Sequence, residues 1–189
     1  MAAMPDVLEA SPLTLVRWRP DDADAVLDAV RSSFAELRQW MPWAQTVPTR
    51  DEQLVALAEG NAAFDAGTDF QFLFREEATG TLVGAGGVHR RVGPGAVEIG
   101  YWVRTDRHNL GYATRATHVM TDAAFAHLGD VDRIEIHMDC ANLASARVPE
   151  KLGYRLTGTE KREKLALSNT GQTYLWQTTR PEWTGRQLR

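Results

Sequence analysis

The sequence predicts a mixed α/β fold, with one mostly antiparallel sheet of about seven strands and helices on both of its faces. Two observations predict it. Apolar residues recur at helical spacing through most of the chain before residue 67 and alternate at strand spacing in most segments after it. The order of elements is strand, two helices, three or four strands, helix, strand, helix and two strands, which is neither a regular βαβ alternation nor an all-β pattern. The 189 residues are expected to form a single domain.

The first half supplies one strand and two helices. Residues 13–18, LTLVRW, read as a short strand, and residues 19–40 carry apolar side chains at helical spacing. The segment MPWAQTVP then predicts a loop, because its two prolines interrupt regular structure. Thr49 and Glu52 match a capping box that opens a second helix ending near Ala66.

The second half predicts a sheet with two more helices. Turn-forming sequences separate three strand-like segments, so antiparallel pairing is expected there. The predicted strands cover 70–75, 80–90, 96–104, 133–139, 154–167 and 173–180, and the predicted helices cover 111–128 and 142–153, with a C-terminal tail after them.

Composition excludes several classes of function. The net charge is −4 without a clustered basic patch, so no nucleic-acid surface is expected. No stretch approaches ~20 apolar residues, and the N-terminus lacks the pattern of a leader. Cys140 is the sole cysteine, which fits a cytoplasmic protein without disulfides. No P-loop, dinucleotide fingerprint, nucleophile elbow or metal-ligand spacing occurs, so no metal site is expected.

The segment 107–116, RHNLGYATRA, joins a predicted strand to a predicted helix and is a candidate anion site. A helix N-terminus carries unpaired, electropositive N–H groups, and Gly111 lets a ligand approach the backbone closely. The alternative is a plain strand-to-helix connection with solvated arginines. Four basic residues surround the turn: Arg104, Arg107, His108 and Arg115.

A second segment of interest is 139–154, DCANLASARVPEKLGY. Taken alone, Asn142 is typical of a helix N-cap. If the helix starts at Asn142, Pro149 lies inside it and leaves the carbonyl of Ser145 without its helical hydrogen bond. Alternatively the helix starts nearer Ser145 and the proline lies in its first turn.

These segments occur together in a recognisable order. EIGYWV, HNLGYA, a helix of about four turns, RIEIHMD and NLASARVPEKLGYRLTG succeed one another, and LRQWMPWA precedes them. In this the chain resembles the GNAT superfamily of N-acetyltransferases over roughly residues 12–183. Within it, the chain is most similar to the RimJ/RimL-like subgroup, which acetylates the N-terminal amines of ribosomal proteins.

The resemblance implies a sheet splayed between its fourth and fifth strands, with acetyl-coenzyme A in the wedge. The backbone of Trp102, Val103 and Arg104 would pair with the pantetheine arm, and Asn142 would touch the coenzyme. His108 stands where the family usually has Gln or Arg. The pyrophosphate would be held by the amides of the turn, at Asn109, Leu110, Gly111, Tyr112, Ala113 and Thr114.

The resemblance also implies catalytic roles. Many members carry a tyrosine acid seven residues after the asparagine, but here that position is Pro149. Ser145, three residues after Asn142, is the acid proposed for the subgroup. Glu98 is the candidate base, the alternative being a salt-bridged glutamate, and a backbone N–H around Val103 would meet the oxyanion.

Trp40 and Trp43 lie on the proline-flanked loop and either wall an acceptor pocket or fill the edge of the core. The expected activity is acetyl transfer from acetyl-coenzyme A to a primary amine, foremost the α-amine of a protein or peptide. The alternatives are a small-molecule acceptor, such as an antibiotic or amino-acid conjugate, and a coenzyme-binding regulatory module without catalysis. The resemblance alone suggests a homodimer.

Overall fold

The structure, a computed structural model, describes residues 3–183. Its strands are β1 (Val7–Ala10), β2 (Leu13–Arg17), β3 (Asp69–Glu76), β4 (Leu82–His89), β5 (Ala96–Val103), β6 (Arg133–Asp139), β7 (Arg155–Lys161) and β8 (Gln172–Thr179). Its α-helices are α1 (Ala23–Trp40), α2 (Arg50–Asp65), α3 (Tyr112–His127), α4 (Leu143–Lys151) and α5 (Arg180–Trp183).

The strands form one eight-stranded sheet in the order β1-β2-β3-β4-β5-β6-β8-β7. Every neighbouring pair is antiparallel except β5 and β6, which are parallel. This confirms the mixed, mostly antiparallel sheet. The predicted count of about seven strands was one too low, because the N-terminal segment forms two strands, the hairpin of β1 and β2, where one was predicted. β1 has only four residues, too few for its alternation of exposed and buried side chains to stand out.

Helices cover both faces of the sheet, as predicted. On one face, α3 and α4 bury Met120, Phe125 and Val148 against the strands. On the other, α1 and α2 bury Val30 and Leu57. A central strand needs apolar side chains in both directions, and β3 supplies them with consecutive, fully buried side chains at 72–74, FLF.

The sheet opens between β5 and β6. The two strands pair only at their first three positions, from Ala96 with Arg133 to Glu98 with Glu135. Beyond Glu98, β5 runs on to Val103 without β6 beside it, because the strands diverge. This gap confirms the predicted splay between the fourth and fifth of the seven expected strands.

Two predicted boundaries were wrong. The strand predicted over 154–167 ends at Lys161, and a loop follows it. The predicted tail begins with α5, whose Trp183 is buried; the rest of that tail, residues 184–189, lies outside the described residues. Among residues 3–183, no helix is long and apolar enough to cross a membrane, and no group of three or more His, Cys, Asp or Glu could hold a metal ion.

The glycines of GAGG in β4 have a steric cause. A Cβ at Gly84 would lie 2.3 Å from the Trp102 carbonyl oxygen, and one at Gly86 would lie 2.7 Å from that of Gly100. β4 and β5 therefore approach too closely for side chains at these two positions. Close approach of the neighbouring strand therefore accounts for both glycines.

Candidate active site

The turn before α3 has the geometry of an anion cradle. Gly111 has φ +80°, Asn109 has φ +62°, and both are left-handed. The N-terminus of α3 receives no side-chain cap, and its first turn carries no acidic residue. Around Gly111 an added Cβ would meet no atom within 4 Å. The electropositive N–H groups at 112–114 are therefore open to an anion in the space beside the turn.

The basic residues near this turn divide into two groups. Arg107 lines the space beside the turn and also pairs with Glu76 at 3.1 Å. Arg115 instead donates to the Ser11 carbonyl, 2.9 Å away, and Arg104 pairs with Asp28 at 2.9 Å. The expectation that all four basic residues would gather around the turn was therefore wrong for Arg104 and Arg115.

Two cations from α4 lie on the opposite wall. Arg147 and Lys151 are one helical turn apart and line the same cavity as Gly111. Sequence reasoning missed them, although their i, i+4 spacing on the helix after Asn142 was the available signal. The cavity therefore carries positive side chains on both walls.

His108 bonds to the protein's own backbone. Its Nε2 lies 3.1 Å from the Val103 carbonyl oxygen, so Nε2 carries the proton and donates. The next N–H along the chain, that of Arg104, donates to Val83 of β4 at 2.8 Å. Successive residues of a strand point their backbone groups to opposite edges, so the Val103 N–H faces the open edge of β5.

A cavity of about 240 Å³ lies between the end of β5, the α3 turn and α4. Arg104 and Leu110 are not part of its lining, although sequence reasoning placed them with the coenzyme; the Leu110 side chain is exposed to solvent. The other nine residues predicted to hold the coenzyme do line it: Trp102, Val103, His108, Asn109, Gly111, Tyr112, Ala113, Thr114 and Asn142.

A second cavity, of about 450 Å³, opens on the other side of the splay and contains Glu98. Glu98 is 7 % exposed, and Arg91 binds both of its carboxylate oxygens, at 2.8 and 2.7 Å. His137 Nδ1 lies 3.6 Å from the same carboxylate. Arg91 and His137 were not among the residues predicted for the site.

The charges around Glu98 keep it ionised. Burial opposes ionisation, but the Arg91 guanidinium, followed by His137 and His89, outweighs it and holds the pKa of Glu98 below its ordinary value. The candidate base is therefore an ion-paired carboxylate, which is the alternative that sequence reasoning left open. Because Glu98 also lines the 450 Å³ cavity, its role as the catalytic base stays a prediction.

Ser145 lies where the two cavities meet. Its N–H donates to Asn142 Oδ1 at 3.1 Å, so Asn142 is the N-cap of α4. Its Oγ donates to the hydroxyl of Tyr101 at 3.2 Å. Pro149 lies inside α4, so the alternative of a proline in the first turn is wrong.

The two tryptophans lie on different cavities. Trp40 lines both the 240 and 450 Å³ cavities, and its Nε1 donates to Glu36 at 3.2 Å. Trp43 is 51 % exposed and lies 6.1 Å from the Trp102 ring. It helps to line a third cavity, of about 820 Å³, between α1, α2 and the sheet.

A splayed sheet with an uncapped, cation-flanked helix N-terminus beside the gap defines a class of protein that binds an extended, anionic ligand. The comparisons identify the family. Residues 12–155 match the family model described as acetyltransferase (GNAT) domain, so the chain belongs to the GNAT acetyltransferases. It is an N-acetyltransferase with acetyl-coenzyme A as co-substrate.

Solved structures share the fold at low sequence identity. Mycobacterium smegmatis RimJ, solved with a coenzyme A disulfide, has a TM-score of 0.84 at 23 % identity, covering 95 % of this chain and 90 % of that one. The ribosomal-protein acetyltransferase RimL, solved with coenzyme A, has 0.83 at 19 %, covering 92 % and 97 %. The microcin C7 self-immunity acetyltransferase MccE, with acetyl-CoA and AMP, has 0.84 at 13 %, covering 93 % and 97 %. A search of curated protein sequences found no match.

The 240 Å³ cavity fits the coenzyme chemically. Its pyrophosphate needs N–H donors and positive charge, which the α3 N-terminus, Arg107, Arg147 and Lys151 offer. Its amide-bearing arm needs backbone partners, which the open edge of β5 provides beyond Glu98.

Proposed function

We propose that this acetyltransferase modifies the α-amine of a protein or peptide N-terminus. The proposal depends on the meeting of two cavities. We call the 240 Å³ cavity the coenzyme-side cavity and the 450 Å³ cavity, which contains Glu98, the acceptor-side cavity. Both are lined by the same five residues, Trp40, Met41, Tyr101, Asn142 and Ser145. An amine in one cavity can therefore meet a thioester held in the other at a single junction, which favours direct transfer between two bound substrates.

The charge state of Glu98 favours an α-amine over a lysine side chain. Only a neutral amine attacks, and a carboxylate whose pKa is held low by Arg91 is a weak base. Peptide α-amines have a pKa of about 8, against about 10.4 for lysine, so an α-amine gives up its proton at lower cost by about 3 kcal/mol. Glu98 is our candidate base, receiving this proton directly or through one water.

Acetyl-coenzyme A supplies the acetyl group as an activated thioester. The Val103 N–H faces the open edge of β5, where it can stabilise negative charge on the acyl oxygen. When the C–S bond breaks, its electron pair goes to sulfur, and Ser145 Oγ is placed at the junction to give that sulfur a proton. As the C–N bond forms, the amine loses its second proton, which passes through water to restore the Ser145 hydroxyl, so that an α-ammonium releases one net proton to solvent.

A matched pair of peptides tests the acceptor. One peptide has a free N-terminus, and the other has the same sequence with a formylated N-terminus and a free internal lysine. Thiol release from acetyl-coenzyme A is followed, and the products are mapped by mass spectrometry. Acetylation of the free α-amine alone is expected. Acetylation of lysine in the blocked peptide would contradict the proposal.

A small-molecule acceptor is the second candidate, and the 820 Å³ cavity favours it. That volume lies in the range of drug-sized ligand pockets, ~300–1,000 Å³. Trp18, Trp43 and Trp102 line it, and Gly87 and Gly100 leave room on the sheet below. Gly100 lines this cavity and the 450 Å³ cavity, so Gly100→Leu places a bulky side chain at both acceptor-side spaces. If small amines are the acceptors, this variant loses turnover of amines while binding coenzyme A normally; if peptides are the acceptors, amine turnover is negligible even before the substitution.

Three broader proposals rest on resemblance and composition. We place the protein in the cytoplasm, treat residues 1–189 as one acetyltransferase domain with short tails, and expect a homodimer. Light scattering coupled to size exclusion measures the mass, for which twice 21.0 kDa is the expected result.

A further inference from the structure

The Ser145 carbonyl receives a hydrogen bond that its own helix does not supply. In an uninterrupted α-helix this carbonyl would accept from the N–H of residue 149. Residue 149 is proline and has no N–H. The donor is the hydroxyl of Tyr101, from β5, 3.0 Å from the Ser145 carbonyl oxygen.

The same hydroxyl is also bound by the serine side chain. Ser145 Oγ donates to Tyr101 Oη at 3.2 Å, while Tyr101 donates to the Ser145 carbonyl. The two residues are therefore joined twice, once through the backbone of α4 and once through the side chain. The carbonyl contact holds the Tyr101 hydroxyl in place, and rotation about the Ser145 χ1 angle then breaks the side-chain contact with that hydroxyl.

The pair stands at the junction of the cavities. Ser145 lines the coenzyme-side and acceptor-side cavities, and Tyr101 lines all three. Tyr101 comes three residues after Glu98, where β5 has already parted from β6. The splay that admits the ligands therefore also gives Tyr101 access to α4.

We infer that Tyr101 is a positioning residue, which holds the Ser145 hydroxyl at the reacting atoms, and that Pro149 makes this possible by freeing the Ser145 carbonyl. The inference rests on the proposed role of Ser145 in acetyl transfer. The proline thus has a function at the position where many relatives carry a catalytic tyrosine: it recruits a tyrosine from the neighbouring strand.

Tyr101 itself does not supply the proton. Burial raises its pKa far above the ordinary value for tyrosine, with the Ser145 hydrogen bond opposing in smaller part. Its proton bonds the Ser145 backbone carbonyl and holds β5 to α4, whereas the Ser145 proton bonds only the Tyr101 oxygen and can turn to the sulfur while that backbone contact stays in place. It therefore stays neutral and orients its partner.

The test is a double-mutant cycle on Tyr101→Phe and Ser145→Ala, with kcat and the KM for acetyl-coenzyme A measured for each. Ser145→Ala is expected to lower kcat by about 100-fold, the lower end for a positioned proton donor. Tyr101→Phe keeps the serine but loosens it, and is expected to cost about tenfold. The double variant should be no slower than Ser145→Ala. KM for acetyl-coenzyme A should stay within about twofold in all three variants, because neither change alters the α3 turn, the open edge of β5 or the cations proposed to hold the coenzyme.

Controls separate positioning from general damage. Tyr174→Phe removes a hydroxyl from a partly buried tyrosine of β8 outside the three cavities, and should leave kcat unchanged. Pro149→Ala restores a helical N–H that competes for the Ser145 carbonyl, so Tyr101→Phe should cost less in that background than in the native one. Independent losses, about 1,000-fold in the double variant, would overturn the inference, as would a Tyr101→Phe enzyme with native kcat.

Failure of the proposed function gives a different result. If the native protein acetylates no acceptor, thermal unfolding still tests the contact between Tyr101 and Ser145. The Tm is measured for the native protein, Tyr101→Phe, Ser145→Ala and the double variant. A Tm for the double variant equal to that of the less stable single variant supports the paired arrangement. Fully additive Tm losses overturn it.

Discussion

Gly111→Ala offers a direct test of the anion cradle, because its effect on folding stability and its effect on coenzyme binding can be measured separately. In Gly111→Ala the backbone must keep φ +80°, which costs an L-residue about 1–2 kcal/mol. No protein atom lies within 4 Å of the added Cβ, so no clash with the protein adds to this cost. In a protein of this size the Tm should fall by about 2–8 °C.

Gly111→Ala should also weaken the binding of coenzyme A. The new methyl group enters the space beside the turn, at the edge of the 240 Å³ cavity. If the pyrophosphate lies against the N–H groups at 112–114, one extra methyl group costs about 1–3 kcal/mol of overpacking. The Kd for coenzyme A, measured by titration calorimetry, should then rise by roughly 5- to 150-fold.

Gly80→Ala is the matched control. Gly80 has φ +69°, also with no atom within 4 Å of an added Cβ, and it lies in the β3–β4 turn outside the three cavities. Its Tm loss should equal that of Gly111→Ala, while its affinity for coenzyme A stays native. Coenzyme affinity within twofold of native for Gly111→Ala would refute the cradle.

Three further predictions follow from single contacts. His108→Ala should weaken coenzyme A binding by less than about tenfold in calorimetry, because the imidazole bonds to the protein's own backbone; a larger loss would mean that it binds phosphate itself. Glu98→Gln should cost about 1–3 kcal/mol of stability at pH 7 in urea unfolding, because it breaks the buried pair with Arg91. Since the folded pKa of Glu98 lies below its ordinary value of 4.5, this difference should persist above that pH and shrink as pH falls through the folded pKa; a difference independent of pH would contradict the ion pair. Pro149→Ala should raise stability by about 1 kcal/mol, well short of the ~3 kcal/mol for an interior proline, because the carbonyl of Ser145 already has a donor; a drop in Tm would show that the ring contributes more by packing.

The role of Glu98 in catalysis has its own readout. The low pKa places the titration of Glu98 below the range in which an α-amine loses its proton. We therefore expect kcat/KM to rise with pH along the titration of the acceptor amine. Glu98→Gln should lower kcat/KM across this range while the rise with pH still follows the amine; an unchanged kcat/KM would remove Glu98 from the role of base.

Features encoded locally could be predicted from the sequence. The strand RIEIHMD alternates strictly, and its side chains alternate between partly exposed and buried in the fold. The capping box of Thr49 and Glu52 is formed by hydrogen bonds within four residues. The turn at Gly111 could be predicted because a glycine before a helix is a local signal, and a local signal survives without knowledge of the rest of the fold.

Features that depend on distant partners could not. Removal of the N–H at Pro149 predicts an unpaired carbonyl at Ser145, but not that Tyr101, 44 residues earlier in the chain, supplies the donor. The pairing of Arg91 with Glu98 depends on the turn between β4 and β5, which the spacing of residues does not define. Likewise, Arg104 pairs with Asp28 of α1 and not with the turn, and the position of α1 could not be predicted from the sequence around Arg104.

We propose that this chain transfers acetyl groups to α-amines at the junction of its 240 and 450 Å³ cavities. The most direct measurement is release of free coenzyme A thiol from acetyl-coenzyme A across a panel of free peptides, blocked peptides and small amines, with each product identified by mass spectrometry. We expect each thiol released to be matched by one N-terminally acetylated peptide, and the rate of release to fall by about 100-fold in Ser145→Ala. Tight binding of coenzyme A without turnover of any acceptor would contradict the proposal.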